Sequence, residues 1–363
     1  MGQEYKVGIA GAGSVAFGTA AFLEHSGQKA MLWSPSGKGT TALAAGAPLT
    51  AKGALEGSFS PGIAASAEEL VAKSEVIFLA LPGYGHKAVL DALIPHLRQD
   101  QPVIISSHAS FGALYLLDRL AARGVSLPVT VWGTTLLTGR RTGDTVASVN
   151  TIRSKIDLAT VPAARTPEGL ALCQDLFGDR FVPREGLLAI SLSNLNPQNH
   201  MGIALCNMTR MEHGETWSQG GNVTPNVGRL MEALDAERVA IAEALGLKVR
   251  TIFEHYHLSY HVPVASIAEM NAELHEKGIG GQGPATADSR YVTEDVPYGL
   301  VVTSVIGRLA GRPAVLHESG TEIFSALYGR DFTKENTLLS ELGLERLTLA
   351  QVQDACRSGV LPR

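Results

Sequence analysis

The sequence predicts an α/β protein: an N-terminal doubly wound Rossmann domain over residues 1–186, followed by an all-helical C-terminal domain over residues 187–363. Three observations carry that reading. A buried-strand pattern runs directly into a glycine turn and an apolar helix at residues 6–27. Strand and helix patterns then alternate to about residue 184, and beyond residue 190 the strand signals give way to long helical periodicities. Alternation of the first kind specifies a parallel sheet covered by helices, and a run of helices packs as a layer of its own. At 363 residues the chain is long enough to build two cores of ordinary size.

The first strand is Val7–Ala10, and Gly11-Ala12-Gly13-Ser14-Val15-Ala16 after it is a G-x-G-x-x-A turn that opens a helix. Gly11 permits the tight turn, Gly13 lets backbone approach a pyrophosphate, and Ala16 is small enough for the helix to close on the sheet. The free N–H groups of the first helical turn, from Ser14 and Val15, then face the diphosphate. A dinucleotide site is the expectation.

The second strand, KAMLWSPSGKG, ends where a side chain meets the adenosine ribose, about 20 residues past the glycines. An NAD site usually places Asp or Glu there, whereas this chain has Ser34, Ser36 and Lys38. Two hydroxyls and an ammonium suit a 2′-phosphate, so NADP is the preferred cofactor and NAD an allowed one. The plainer alternative is that Ser34–Gly37 is only a turn and Lys38 a surface charge.

Further strands are read at Val76–Leu81, Val103–Ser106 and Val129–Trp132, each with a helical pattern between it and the next. Ligands of such sheets lie at the carboxyl ends of the strands, so Leu81 and Pro82 are expected to line the cofactor. By the same rule His108 and Ser110 face its nicotinamide end, which makes His108 a candidate catalytic group. ASVNTIRSKIDLATVP then reads as two strands and a turn, TPEGLALCQDLFG as a helix, and FVPREG as the end of the domain.

In the second half, Asn196-Pro197 is a start signal, a side-chain N-cap followed by proline at the first helical position. Helical period then puts His200, Ile203, Ala204, Asn207 and Met211 on one face, with His200 in the first turn. Residues 228–247 form an amphipathic pattern with Leu230, Leu234, Val239, Ile241 and Leu245 as its apolar positions. Two more helices are read near 300–311 and 319–328. His255, His257 and His261 crowd seven residues, but only the last two share a helical face and no acid or thiol completes a set, so no metal is expected. RYVTEDVPYGL, residues 290–300, sets charge beside turn residues, which by itself also fits a surface helix cap.

Composition limits the partners. Thirty basic and 35 acidic residues give a net charge of −5 without a dense basic stripe, which excludes nucleic acid and membrane as expected partners and leaves a small molecule. Three scattered cysteines suggest reduced thiols, and neither a leader pattern nor a membrane-spanning run is read, so a cytoplasmic protein is expected. A symmetric homodimer is the expected assembly on the frequency of such dimers.

The GAGSVA loop, NPQNH in the first helix of the second half, and RYVTEDVPYGL about 90 residues later together closely resemble the octopine and nopaline dehydrogenases, the opine dehydrogenase family. The resemblance runs nearly the whole chain, and RYVTEDVPYGL is its most specific part. It implies a Rossmann domain and a helical domain with the active site between them, and NAD(P)H-dependent condensation of an amino acid's amine with a 2-keto acid through an imine. It further implies that His200 is the general acid/base, Asp295 its carboxylate partner, and Arg290 an anchor for a substrate carboxylate. Ser34 departs from the NAD-using members. Hydroxyacid, ketopantoate and glycerol-phosphate dehydrogenases share the layout but use a lysine early in the helical domain, and here no lysine stands between Lys155 and Lys248. A non-enzymatic NADP-binding sensor, the remaining alternative, has no need of a His–Asp pair.

Overall fold

The computed structural model describes residues 5–108 and 110–362. The start of the chain, residues 1–4, where no leader pattern is read, lies outside the described residues. The chain divides into two compact units, one running to Ile190 and rejoined by the segment from Ala350, the other Ser191–Leu349.

The first unit holds strands β1 (Tyr5–Ala10), β2 (Ala30–Trp33), β3 (Leu49–Gly53), β4 (Gly57–Phe59), β5 (Gly62–Ile63) and β6 (Ser74–Leu79). It continues with β7 (Val103–Ile105), β8 (Val129–Trp132), β9 (Leu137–Gly143), β10 (Val146–Ile152), β11 (Ile156–Val161) and β12 (Phe181–Pro183). Eight of them form one sheet in the order β12-β11-β8-β7-β6-β1-β2-β5. From β5 to β8 all pairs are parallel, and only β8 with β11 is antiparallel. Strand order reverses between β1 and β6, the switch point outside which a doubly wound sheet binds its ligand. The central strands are largely apolar because both faces are covered, as in β2, where Ala30–Trp33 are all buried. Trp132 centres one end of the core, with ring centroids 5.2 Å from Phe78, 5.1 Å from Phe177 and 5.0 Å from Phe181. Such pairs add about 0.5–1.5 kcal/mol each beyond the area they bury.

A second sheet, β4-β3-β10-β9, is absent from the sequence reading except for β10. It packs on the helix Ser14–His25, where Gly18 makes room for Leu137: a Cβ on Gly18 would lie 2.6 Å from its Cδ1. Strand ends also differ from expectation. β6 stops at Leu79, with Ala80 N–H still bonded to Ala10 O before the chain leaves toward Pro82, and β7 stops at Ile105, with Ser107 in the left-handed region at φ 58°.

The second unit is helical. Two of its helices begin at capping boxes: Thr251 with Glu254 starts Ile252–Tyr260, and Ser266 with Glu269 starts Ile267–Glu276. No described helix is long and apolar enough to cross a membrane. The long helix Pro225–Ala244 buries a different stripe from the one read. Leu234 and Ile241 face inward as expected, but Asp235 and Arg238 join them, and Leu230, Val239 and Leu245 are only half-buried. The Arg238 guanidinium is sealed by Asp235 Oδ1 at 2.6 Å and by the backbone oxygens of Leu192 and Arg250, while Asp235 Oδ2 accepts from Ile252 N–H. A charge so completely paired can occupy a core position that patterning assigns to an apolar residue.

The sequence reading assigns all of 187–363 to the helical domain, and the observed units differ at the end. The helix Leu349–Ser358 packs with the first unit, where Gly359 approaches Leu117 so closely that a Cβ would lie 2.7 Å from its Cδ1. Helical periodicity specifies an apolar face but not which core receives it.

Candidate active site

At the switch point, Gly11 holds φ 142°, and a Cβ there would strike Ala80 O at 2.3 Å, so only glycine fits between β1 and the turn after β6. At Gly13, by contrast, a Cβ would meet nothing within 4 Å. That open space sits at the N-terminus of Ser14–His25, which has neither a side-chain cap nor an acid in its first turn. Unused N–H groups, the helix dipole and clear backbone are what a diphosphate requires. Ser14 and Val15 are half-buried at the mouth of this loop and Ala16 is buried against the sheet. Ser34–Gly37 does form a turn, with Gly37 N–H donating to Ser34 O, and Ser36 and Lys38 are exposed on it with no carboxylate at the end of β2. Leu81 and Pro82 lead into the helix Gly83–Leu93.

One residue near this loop is missing from the sequence reading. Arg141, on β9, lays its guanidinium 4.7 Å over the Phe17 ring and donates from Nη1 to Ala12 O at 3.1 Å. The same Nη1 lies 3.6 Å from where a Cβ of Gly39 would stand. A second cation therefore flanks the Ser34–Lys38 turn, delivered by a strand that patterning leaves invisible.

In the helical unit, His200 and Asp295 meet. His200 Nδ1 lies 2.7 Å from Asp295 Oδ2, with the two side chains 18% and 15% exposed, although 95 residues separate them. The contact is built from both sides. Asn196–Cys206 is the helix that carries His200, but Asn196 is its first residue rather than its cap: Asn194 Oδ1 accepts the Asn196 N–H from outside. Pro197 follows as expected, and its ring packs on Gly299, where a Cβ would lie 2.2 Å from Pro197 Cγ. Gly299 belongs to a π-helical turn, Val296–Leu300, that follows the short helix Arg290–Thr293 and is joined to Val301–Leu309. Wide turns of this kind gather at functional sites because they displace side chains from helical register. Asn336 Nδ2 satisfies Pro297 O at 2.8 Å, and buried Val292 and Val296 anchor the segment. The surface-cap alternative for TEDVP therefore does not describe Asp295, whose side chain makes no cap bond.

Tyr291, on the same segment, stacks on His200 with ring centroids 3.6 Å apart and planes 10° from parallel. Its hydroxyl donates to Gln219 Oε1 at 2.6 Å. Behind the helix, Gln198 Nε2 donates to His317 Nε2 at 3.0 Å, and His317 Nδ1 lies 2.9 Å from Glu237 Oε2. Burial works to raise the Glu237 carboxyl, but hydrogen bonds from His317 and the Leu316 backbone outweigh it and hold it below the ordinary range. The NPQNH helix is thus pinned at Gln198 as well as Pro197. Arg290 is two-thirds exposed and its guanidinium meets Glu294. Of the clustered histidines, His257 and His261 serve the end of their helix, His257 Nδ1 bonding Val262 O and His261 adopting φ 55°.

His108 and His86 form a different feature of the first unit. His86 Nε2 donates to Leu81 O at 3.1 Å, and His108 Nε2 accepts from Ala113 N–H at 3.4 Å. Burial pushes the His86 imidazole from 6.5 down to about 4, and burial together with the neighbouring His86 pushes His108 down to about 3. Both rings are neutral at working pH. A histidine whose folded value is depressed contributes stability that is full above the unfolded value and is lost as pH falls, because the unfolded chain binds the proton first. Stability is therefore expected to decline below pH 6.5, by about 2 kcal/mol for each ring at pH 5. Urea midpoints of wild type and a His86→Gln/His108→Gln variant, taken from pH 7.5 to 5, measure this. Parallel pH trends in the two proteins would remove the explanation.

A phosphate-ready glycine loop in a Rossmann unit and a histidine clamped by a carboxylate in a helical unit define the class, an NAD(P)-dependent oxidoreductase. Residues 183–328 match the family model described as the α-helical domain of NAD/NADP octopine/nopaline dehydrogenase, and residues 6–109 match that of the coenzyme F420-dependent NADP oxidoreductases. The opine dehydrogenase of Arthrobacter sp. (strain 1C) is 31% identical over 355 residues, covering 96% of this chain and 97% of that protein. Among solved structures, an octopine dehydrogenase in complex with NADH and agmatine superposes with TM-score 0.82 at 16% identity over 99% of both chains. An NADP+-bound yersinopine dehydrogenase does so with TM-score 0.71 at 17% identity, over 94% of this chain and 99% of that one. The chain belongs to the opine dehydrogenase family. It is accordingly an NAD(P)-dependent oxidoreductase acting on CH–NH groups, joining an amino acid and a 2-keto acid by reductive condensation.

Proposed function

We propose that His200 is the general acid/base of this condensation and Asp295 the carboxylate that orients it, a reading supported above all by the 2.7 Å contact between them. The amine must lose a proton as it adds to the keto carbon, and the resulting hydroxyl must gain one to leave as water. A single ring nitrogen can take the first and return it for the second. With His200 Nδ1 held by Asp295, that traffic falls to Nε2, and the carboxylate stabilises the imidazolium formed between the two transfers. NAD(P)H, when bound, supplies the hydride that reduces the imine carbon. Arg290 offers a bidentate fork to a substrate carboxylate, for which it exchanges its contact with Glu294. Consumption of NADPH that requires both an amino acid and a 2-keto acid tests the reading, and oxidation with a keto acid alone counts against it.

For the cofactor we propose a preference for NADPH, held at Gly11, Gly13, Ser14, Val15 and Ala16, with Leu81 and Pro82 along its path and Ser34, Ser36 and Lys38 at the 2′-phosphate. The absence of a carboxylate at the end of β2 and the presence of Arg141 beside it support this. Lys38→Ala is expected to weaken NADPH binding about ten- to a hundredfold and leave NADH nearly unchanged. Equal weakening of both, measured by fluorescence titration, refutes it.

We further propose a cytoplasmic homodimer, supported by three unpaired cysteines and by the frequency of symmetric dimers. Sedimentation showing a monomer at micromolar concentration excludes the assembly.

A further inference from the structure

We propose that Tyr291 is a positioning residue for His200: its ring fixes the plane of the imidazole that Asp295 fixes only along one line. The inference rests on the reading of His200 as general acid/base. One hydrogen bond from Nδ1 leaves the imidazole able to rock about the axis of that bond, and the last torsion of a histidine side chain is intrinsically broad. Rocking of that kind carries Nε2 sideways while Nδ1 stays in place. A parallel ring at 3.6 Å removes the motion, because tilting the imidazole drives its edge into the phenol. The aromatic face also attracts the imidazolium that forms in the reaction.

The phenol is itself held. Its hydroxyl donates to Gln219 Oε1 at 2.6 Å, and Gln219 N–H donates to Gly281 O, tying the ring to a brace in which Ser218 pairs with Gln282. A hydroxyl donating there is committed to Gln219, which argues against Tyr291 as a proton donor to substrate. Ser289 caps the short helix that carries Tyr291, accepting from Tyr291 N–H, and Asp295 follows four residues later. One anchored segment therefore supplies the edge contact and the face contact to the same imidazole.

Three variants test this in the full-length enzyme with saturating amino acid and keto acid. Tyr291→Leu and the unbranched, more adaptable Tyr291→Met are expected to lower kcat about tenfold, the scale on which small misplacements of reacting groups act, with the NADPH dissociation constant within about twofold of wild type. Tyr291→Phe keeps the face and is expected to stay within about threefold of wild-type kcat. Wild-type kcat in the Leu and Met variants overturns the proposal, as does a Phe variant as slow as Leu, which would assign the effect to the hydroxyl. Loss of NADPH affinity in step with kcat overturns it too, since that marks a general structural defect. A measurement on the wild-type holoenzyme needs no variant of Tyr291 to fold: the carbon-bound ring protons of His200, assigned with His200→Gln, are expected upfield through the ring current of Tyr291. Unshifted resonances would show that the stack does not persist in solution. His200→Ala separates the two claims, because full activity there removes the acid/base reading, whereas an inactive His200→Ala beside a fully active Tyr291→Leu removes only the role of Tyr291.

Discussion

Alanine at His200 is expected to lower kcat by roughly two to four orders of magnitude, the usual worth of a positioned general acid/base, while NADPH affinity stays within about twofold of wild type. The separation follows from where the residues lie. His200 is held by Asp295 and Tyr291, and neither of these is among the residues assigned to the cofactor. Nor is a large loss of stability expected from the truncation itself. His200 is partly exposed, and its helix remains pinned by Pro197 on Gly299 and by Gln198 on His317. Stopped-flow measurement of NADPH oxidation beside a fluorescence titration of NADPH reads both quantities on one preparation. Full activity in His200→Ala would leave the pair a structural feature. His108, the other histidine singled out by sequence, is poorly suited to replace it, because burial and the neighbouring His86 push its imidazole down to about 3 and keep it neutral at working pH.

What the sequence made legible was local. Gly11, Gly13 and Ala16 lie within one turn, so their spacing alone suggests a purpose; the turn itself requires glycine at Gly11, whereas at Gly13 a Cβ would meet nothing within 4 Å. His200 and Asp295 are another matter. Ninety-five residues separate them, and no periodicity joins a histidine early in one helix to an aspartate in a turn-rich segment; family resemblance supplied that link. The contact that makes their meeting possible, Pro197 against Gly299, is invisible in one dimension although both residues are conspicuous there. Arg141 was missed because LTGRRTG alternates too weakly to announce a strand, and the hairpin that carries it lies outside the main sheet. Gln198 could have been suspected from its place in NPQNH, but Glu237 and His317 are single polar residues in ordinary helices and carried no signal. Arg238 shows the limit of patterning: one charged residue with enough partners occupies a position that binary pattern reserves for an apolar one.

Asp295→Asn tests whether the two residues act as one device. Asparagine keeps the shape of the side chain but loses the charge, so it neither enforces the Nδ1–H tautomer nor stabilises the imidazolium. The expected fall in kcat is roughly two orders of magnitude or more, again with NADPH affinity near wild type. A purely structural role for Asp295 predicts something else, a lower unfolding midpoint with kcat little changed in the folded protein. The geometry argues against that role, because the Asp295 side chain makes no cap bond to the π-helical turn it precedes, so its carboxylate is not consumed in holding the backbone. The decisive measurement is the double variant. If Asp295 works only through the imidazole, then once His200 is alanine the loss of the carboxylate has nothing left to disturb, and His200→Ala/Asp295→Asn should lie within about threefold of His200→Ala alone. If the effects instead multiply, each residue acts on the substrate separately, and the 2.7 Å contact between them is not the working unit of the site.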